Sequence, residues 1–300
     1  MCIRDSYQSD LAGPTSRFFT SQRLRLHYVE WGPQDAPPLV LVHGGRDHCR
    51  NWDWVATDLA KDYRIVAPDL RGHGDSAWLI GGGYRMTDYV YDLAQLFFHL
   101  NLEHAPIIGH SLGGAITLQF AGAFPDMVER LIAIEGLGLS PERLERDSKV
   151  STQEKMQKWI SDTRGAAGRT PKRYASIDEA AARMHEANSH LSQEQAWHLT
   201  VHGVNQNEDG TYSWKFDNYV RINRPFGLTP EETRDFWREV KCPVLLIRGK
   251  ESWASDPLKD GRATFFKNAR VENFERAGHW VHHDRLDAFL PMARDFLSGK

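Results

Sequence analysis

At 300 residues and a formal net charge of −3, with 37 Lys and Arg against 40 Asp and Glu, the chain lacks the basic excess that binding a nucleic-acid backbone requires. Hydrophobic residues make up 41% and charged residues 26%, a globular balance that excludes disorder over the whole chain. No apolar run reaches the roughly 18 residues of a membrane span, and the length, about twice a typical ~150-residue domain, fits one large core with an insertion or two units.

Met1 to Ser6 shares no pattern with the rest of the chain and resembles translated adapter sequence, so it carries no weight for the fold. The first ten residues lack the apolar segment of a secretory signal. Cys2, Cys49 and Cys242 are too few and too scattered for a disulfide framework or a zinc site. A reduced, cytoplasmic setting is expected.

Residues 24–32 alternate and open a sheet. Short apolar runs follow at 39–42, 65–67, 106–109, 131–135, 244–248 and 271–274, and most are uninterrupted, as parallel strands buried on both faces read. Between them, Thr87 reads as the N-cap of a helix whose apolar stripe covers 91–100. Residues 112–124 form a helix candidate ended by Pro125, and 281–297 close the chain, with Pro291 as a kink or break. This alternation points to an α/β sheet with helices on both faces. It halts near residue 136 and resumes near 241. The interval 136–240, with helix candidates at 142–160, 177–187, 192–202 and 231–240, is too long for a loop between strands. It reads as a helical cap inserted into a core made of residues 1–135 and 241–300.

The strongest chemical signal is Gly109-His110-Ser111-Leu112-Gly113, lying between a strand and a helix. A Ser between glycines at that junction is a nucleophile elbow, because larger side chains at the two Gly positions would clash in so sharp a turn. Ser111 is the candidate nucleophile, at the positive end of the next helix. Upstream, a buried strand runs into His43-Gly44-Gly45. An acyl-transfer intermediate needs backbone N–H donors for its oxyanion, and this arrangement nominates Gly45 and Leu112.

Pro68-Asp69-Leu70-Arg71-Gly72-His73-Gly74-Asp75-Ser76, with His43-Gly44, the Ser111 elbow and Ala277-Gly278-His279-Trp280, resembles the α/β-hydrolase superfamily over roughly residues 24–296, the cap excepted. Cap stretches at 188–195 and 207–214 resemble, more weakly, the serine hydrolase-like proteins of carboxylesterase type. The resemblance implies an eight-stranded, mostly parallel sheet, a lid, and a Ser/acid/His triad that needs no cofactor. His279, on a loop after the last strand, is the candidate base. His282 and His283 fall in the next helix and are expected to point elsewhere. Arg46, Trp52 and His110 are the substrate-pocket candidates, although His110, like His73, also flanks glycines as a packing residue would. No metal is predicted, since the histidines form no ligand spacing such as HExxH.

The acid departs from the usual pattern. Most relatives carry Asp three residues past the Gly ending the penultimate strand; that Gly is Gly249, and position 252 is Ser. Glu135, ending the strand beside the nucleophile strand, could reach across the ~4.8 Å strand spacing. Asp256, which precedes Pro257 and suits an N-cap, and Glu251 stay open as alternatives. The chemistry expected is hydrolysis of a small-molecule carboxylic ester through an acyl-enzyme. A carbon–carbon bond hydrolase with the same triad and a non-catalytic hydrolase-fold binding protein are the alternatives. A Ser at the elbow speaks against epoxide hydrolases and dehalogenases, which need a carboxylate nucleophile.

Overall fold

The computed structural model describes residues 13–81, 83–222 and 225–300; Met1 to Ser6, Cys2 among them, lie outside these. Ten strands are present among the described residues: β1 (Thr15–Ser21), β2 (Leu24–Trp31), β3 (Pro38–Val42), β4 (Arg64–Pro68), β5 (Ala105–His110), β6 (Val128–Ile134), β7 (Val204–Gln206), β8 (Tyr212–Trp214), β9 (Val244–Gly249) and β10 (Ala269–Phe274). β7 and β8 pair with each other; the other eight form one sheet in the order β1-β2-β4-β3-β5-β6-β9-β10. β2 runs antiparallel to β1 and β4, and the remaining neighbours are parallel. The sequence pattern gives no sign of β1. It is an edge strand with only Phe19 and Ser21 buried, so it carries no apolar alternation to read.

The central strands are buried on both faces. Leu39, Leu41, Ile108, Ile132, Ile134, Leu245 and Ile247 pack on one side of the sheet, whereas Val40, Val42, Ile107, Leu131, Ala133, Val244 and Leu246 pack on the other. The period of two thus directs every second residue into a separate core layer. On the first side lie α1 (Asp53–Leu59) and, at the end of the chain, α9 (Val281–Asp284) and α10 (Leu286–Ser298). On the second lie α2 (Met86–His99), α3 (Leu112–Ala123) and α8 (Pro230–Glu239). Between β6 and α8 come α4 (Pro141–Ser148), α5 (Thr152–Ala167), α6 (Ile177–Ala187) and α7 (Gln193–Gly203). No helix among the described residues is long and apolar enough to cross a membrane.

Four expectations need correction. The helix expected to be capped by Thr87 starts at Met86, entered from extended Arg85. The stretch 142–160 is two helices, because Ser151 and Glu154 form a capping box that starts α5 afresh. The closing helix breaks at Arg285, whose backbone leaves helical geometry, while Pro291 lies inside α10. Finally, α8 falls within the expected cap, yet Trp237 and Val240 pack into the core layer with Phe120 and Leu131. Gly122 shows how close the approach is: a Cβ there would meet Phe236 O at 2.2 Å. By packing, then, α8 is a core helix.

The inserted α7 is tied to the core by polar contacts. His48 Nε2 donates to Leu199 O (2.8 Å), His198 Nε2 lies 3.0 Å from Asp53 Oδ2, and Gln195 Nε2 donates to His283 O (3.3 Å). These contacts hold α7 against the segment that follows β3 and against α9, while at the C-terminal ends of β3 and β5 the sheet order reverses. There the connections diverge, β3 leading to β4 on one side and β5 to β6 on the other. Such a reversal opens a crevice above an α/β sheet.

Candidate active site

Ser111 sits in that crevice, between β5 and α3, with φ 51° and ψ −115°. A positive φ is strained for a residue with a Cβ, and such strain persists only where the surroundings over-determine it. Here they do. Ser111 N donates to Ile134 O (2.8 Å), and the two flanking glycines have no room for a side chain. A Cβ on Gly113 would lie 2.2 Å from Val42 O, and one on Gly109 2.6 Å from Thr117 Oγ1. Arg46 (φ 64°) and Glu135 (φ 50°) share the left-handed backbone geometry, so three such residues gather at this end of the sheet.

Gly45 and Leu112 come together as the elbow motif requires, since a methyl group placed on Gly45 would touch Leu112 Cδ2 at 3.7 Å. Neither backbone N–H is engaged by another described residue. Leu112 is the first residue of α3, where helical N–H groups have no partner within the helix.

Of the three carboxylates considered, Glu135 is the one on His279. The sheet order explains this: β6 lies between β5 and β9, and Glu135 N donates to Ile247 O (2.8 Å), carrying the side chain toward the end of β9. His279 Nδ1 donates to Glu135 Oε2 at 2.5 Å. Ser252 Oγ donates to the same oxygen (2.5 Å), and Gly249 N donates to Oε1 (2.9 Å). Ser252, at the position where the resemblance leads one to expect the acid, spends its hydroxyl on Glu135 instead. Asp256 instead accepts from Leu258 N (3.0 Å), starting a turn, and Glu251 faces solvent near His190.

With the carboxylate on Nδ1, the ring proton is held there and the Nε2 lone pair is left free. Nε2 of His279 takes no hydrogen bond from the described residues, and the side chain is 23% exposed. His110, adjacent to Ser111, donates Nε2–H to His279 O (3.0 Å), which fixes the histidine loop against the elbow. Ser111 Oγ makes no hydrogen bond with the described residues; such contacts often tighten only on substrate binding.

The pocket expectations fare unevenly. Arg46 is exposed beside Gly45. Trp52 is completely buried and stacks on His282, with 4.6 Å between ring centroids, so it forms core rather than pocket wall. His110 is likewise sealed, and burial followed by the neighbouring His279 pushes its pKa well down, leaving a neutral ring that serves the His279 loop. His282 and His283 are buried and donate no group to the crevice; His282 Nε2 donates to Asn51 Oδ1 (2.7 Å). Sequence reasoning missed two residues. Trp253, 63% exposed, lies over His279 at 5.2 Å, and buried Arg262 donates to the carbonyls of Leu137, Gly138 and Leu139, bracing the loop after Glu135. The motifs carry no signal for either, because both act across the fold.

Among the described residues, two groups offer three metal-ligating atoms each within 4.8 Å, His27/Cys49/Asp69 and Asp53/His198/His202. Both are internally paired. Asp69 holds His27, and the Arg50 guanidinium donates to both oxygens of Asp53.

The model of the alpha/beta hydrolase fold family matches residues 37–286. The chain belongs to that family. This alpha/beta hydrolase is 26% identical to a serine hydrolase-like protein of Danio rerio, over 89% of this chain and 83% of that one. It is 25% identical to an esterase of Mycobacterium tuberculosis, over 100% of this chain and 95% of that one. Among solved structures, a hypothetical protein from Pseudomonas aeruginosa superposes with a TM-score of 0.81 at 26% identity, covering 94% of this chain and 98% of that one. The chain is a hydrolase of the alpha/beta fold.

Proposed function

We propose that this hydrolase cleaves small carboxylic esters through an acyl-enzyme on Ser111. The observation that carries the reading is the 2.5 Å contact of His279 Nδ1 with Glu135, which orients a ring whose other nitrogen is free beside the elbow. Ser111 Oγ attacks the ester carbonyl carbon while its proton passes to His279 Nε2. Glu135 stabilises the imidazolium that forms, and the N–H groups of Gly45 and Leu112 receive the oxyanion. Collapse of the tetrahedral intermediate breaks the C–O bond, and the imidazolium gives its proton to the departing alkoxide. Water then attacks the acyl carbon, His279 takes its proton, and the acid leaves as Ser111 is restored.

The M. tuberculosis relative, named an esterase, supports the ester class. The non-catalytic alternative rests on Ser252 standing in place of an acid, and Glu135 supplies a carboxylate at that point in space. Incubation with a fluorophosphonate followed by mass spectrometry tests the reading. One covalent adduct on Ser111 is expected, together with hydrolysis of p-nitrophenyl acetate that Ser111→Ala abolishes. An unmodified Ser111 with no turnover would overturn it in favour of a binding protein.

A further inference from the structure

Two aromatic rings lie close over His279, and their surroundings differ. His110, with 4.8 Å between ring centroids, is sealed inside the protein. Trp253, at 5.2 Å and an interplanar angle of 36°, is 63% exposed, more than any other aromatic side chain among the described residues. A single exposed apolar residue is ordinary on a protein surface. This one is anchored to the triad on both sides of its backbone: Ser252 Oγ, just before it, donates to Glu135 Oε2 (2.5 Å) and accepts from Ala254 N, just after it (3.3 Å). The indole therefore meets the imidazole with part of its surface and leaves most of the rest to solvent, at the place where His279 Nε2 is also free.

The reaction itself limits how far a substrate can stand from that surface. The oxygen of the departing alcohol takes its proton from His279 Nε2, and a hydrogen bond of about 2.8 Å there puts the oxygen about 4 Å from the centre of the imidazole ring. With 5.2 Å between the imidazole and indole centres, the oxygen is at most about 9 Å from the indole centre in any direction. The ring centre of a benzyl group stands about 4 Å from its own oxygen, so even at that outer bound it can come within about 5 Å of the indole, inside the roughly 4.5–7 Å at which aromatic rings pair. The acyl portion hangs from the other bond of the carbonyl carbon and has no such limit.

We infer that Trp253 is the specificity-determining residue for the alcohol portion of the ester, its open indole surface stacking on an aromatic ring beside the leaving oxygen, so that the substrates are esters of benzyl-type alcohols. The inference rests on the ester-hydrolase reading. Its test compares kcat/KM for benzyl acetate and cyclohexylmethyl acetate, corrected by the ratio of their alkaline hydrolysis rates. The wild type favours the benzyl ester about 3- to 10-fold, the value of one aromatic pair. Trp253→Leu brings the ratio to one, and Trp253→Phe, which keeps a ring, retains most of it; Trp253→Gln carries the comparison if the leucine variant fails to fold. Methyl phenylacetate against methyl cyclohexylacetate moves the ring to the acyl portion, and there the ratio is the same in the wild type and in Trp253→Leu. A wild-type benzyl ratio near one, a preference that Trp253→Leu leaves in place because both acetates slow equally, or a loss confined to the acyl pair would overturn the inference while leaving the hydrolase reading intact. The second of these is what a tryptophan that only props His279 would give. Wild-type protein that cleaves no p-nitrophenyl acetate overturns that reading and this one with it.

Discussion

His27 and Asp69 form a pair that is chemically close to His279 and Glu135: ring Nδ1 to carboxylate oxygen, 2.7 Å in one and 2.5 Å in the other. Their surroundings separate them. His27 is sealed, and its second nitrogen is taken by Ser16 Oγ (2.8 Å). Asp69 also receives the N–H groups of Cys49 (2.7 Å) and Asp75 (2.8 Å). Burial alone would raise its pKa; the hydrogen bond from His27 and its other neighbours outweigh that and hold it down. This pair ties β2 to the turn after β4 and to the start of the short helix at Cys49. In the other pair one ring nitrogen is free, the ring is partly open, and a strained serine stands beside it. The comparison teaches that a histidine–carboxylate contact is by itself a structural joint; an unspent nitrogen facing a nucleophile is what makes a candidate site.

Substitutions on the two sides of this comparison should therefore fail differently. The largest effect is expected for Glu135→Gln, which leaves the wrong proton on His279 and lowers kcat about 10⁴-fold, if the value for the same change in the serine-protease triad transfers. Steady-state rates on p-nitrophenyl acetate check it, with a thermal melt close to wild type. Near-normal turnover in Glu135→Gln, with loss in Asp256→Asn, would erase the distinction drawn between the pairs.

A second test uses pH. Burial lowers the pKa of His43 and His283 to about 3 and of His48 and His73 to about 4, below the ordinary ~6.5, because a sealed imidazole resists charging. As pH falls below 6.5 the unfolded chain takes up protons that the folded one refuses. Stability present above 6.5 is thus lost progressively toward pH 3–4. Asp47, raised by burial, runs the other way and offsets part of this. Each such histidine costs at most about 1.4 kcal/mol per pH unit, so the four together make the fold markedly less stable in acid. Urea midpoints across pH 7 to 4.5 would reveal it, and a flat profile would refute the neutral buried histidines.

Asp69→Asn belongs to the structural side: about 3 kcal/mol less stable by urea unfolding, as for other broken buried pairs, with kcat per folded molecule retained. A 10³-fold loss of kcat at unchanged stability would make Asp69 part of the chemistry. The smallest effect is expected for Ser252→Ala. Removing one hydrogen bond to Glu135 lowers kcat about 3- to 10-fold and leaves KM near wild type; a drop as deep as that of Glu135→Gln would mean that Ser252 is indispensable.

Much of the site was legible because the chemistry is written in short stretches. Gly109, Ser111 and Gly113 announce a turn whose steric limits are local, and His279 comes after a strand and a glycine. Leu112 follows from the same elbow, and Gly45 from the glycine pair after β3. The acid was not legible. Glu135, Glu251 and Asp256 are all plausible by position, and choosing among them depends on β6 lying beside β9. Trp52 misled because an aromatic at the start of a helix reads alike whether it lines a pocket or stacks on a buried histidine. The reach of α8 misled for a related reason: its amphipathic pattern says that one face is covered, and nothing in it says by what.

By itself, then, the sequence determined the α/β alternation, the sharp turn at Ser111, the glycine pair after β3 and the loop position of His279, since each rests on steric and hydrogen-bonding needs met within a few residues. Tertiary structure decided which carboxylate reaches the histidine, that Ser252 holds it, and that α8 joins the core. Those depend on strand order and on helices meeting across the fold, where contacts join residues more than a hundred positions apart.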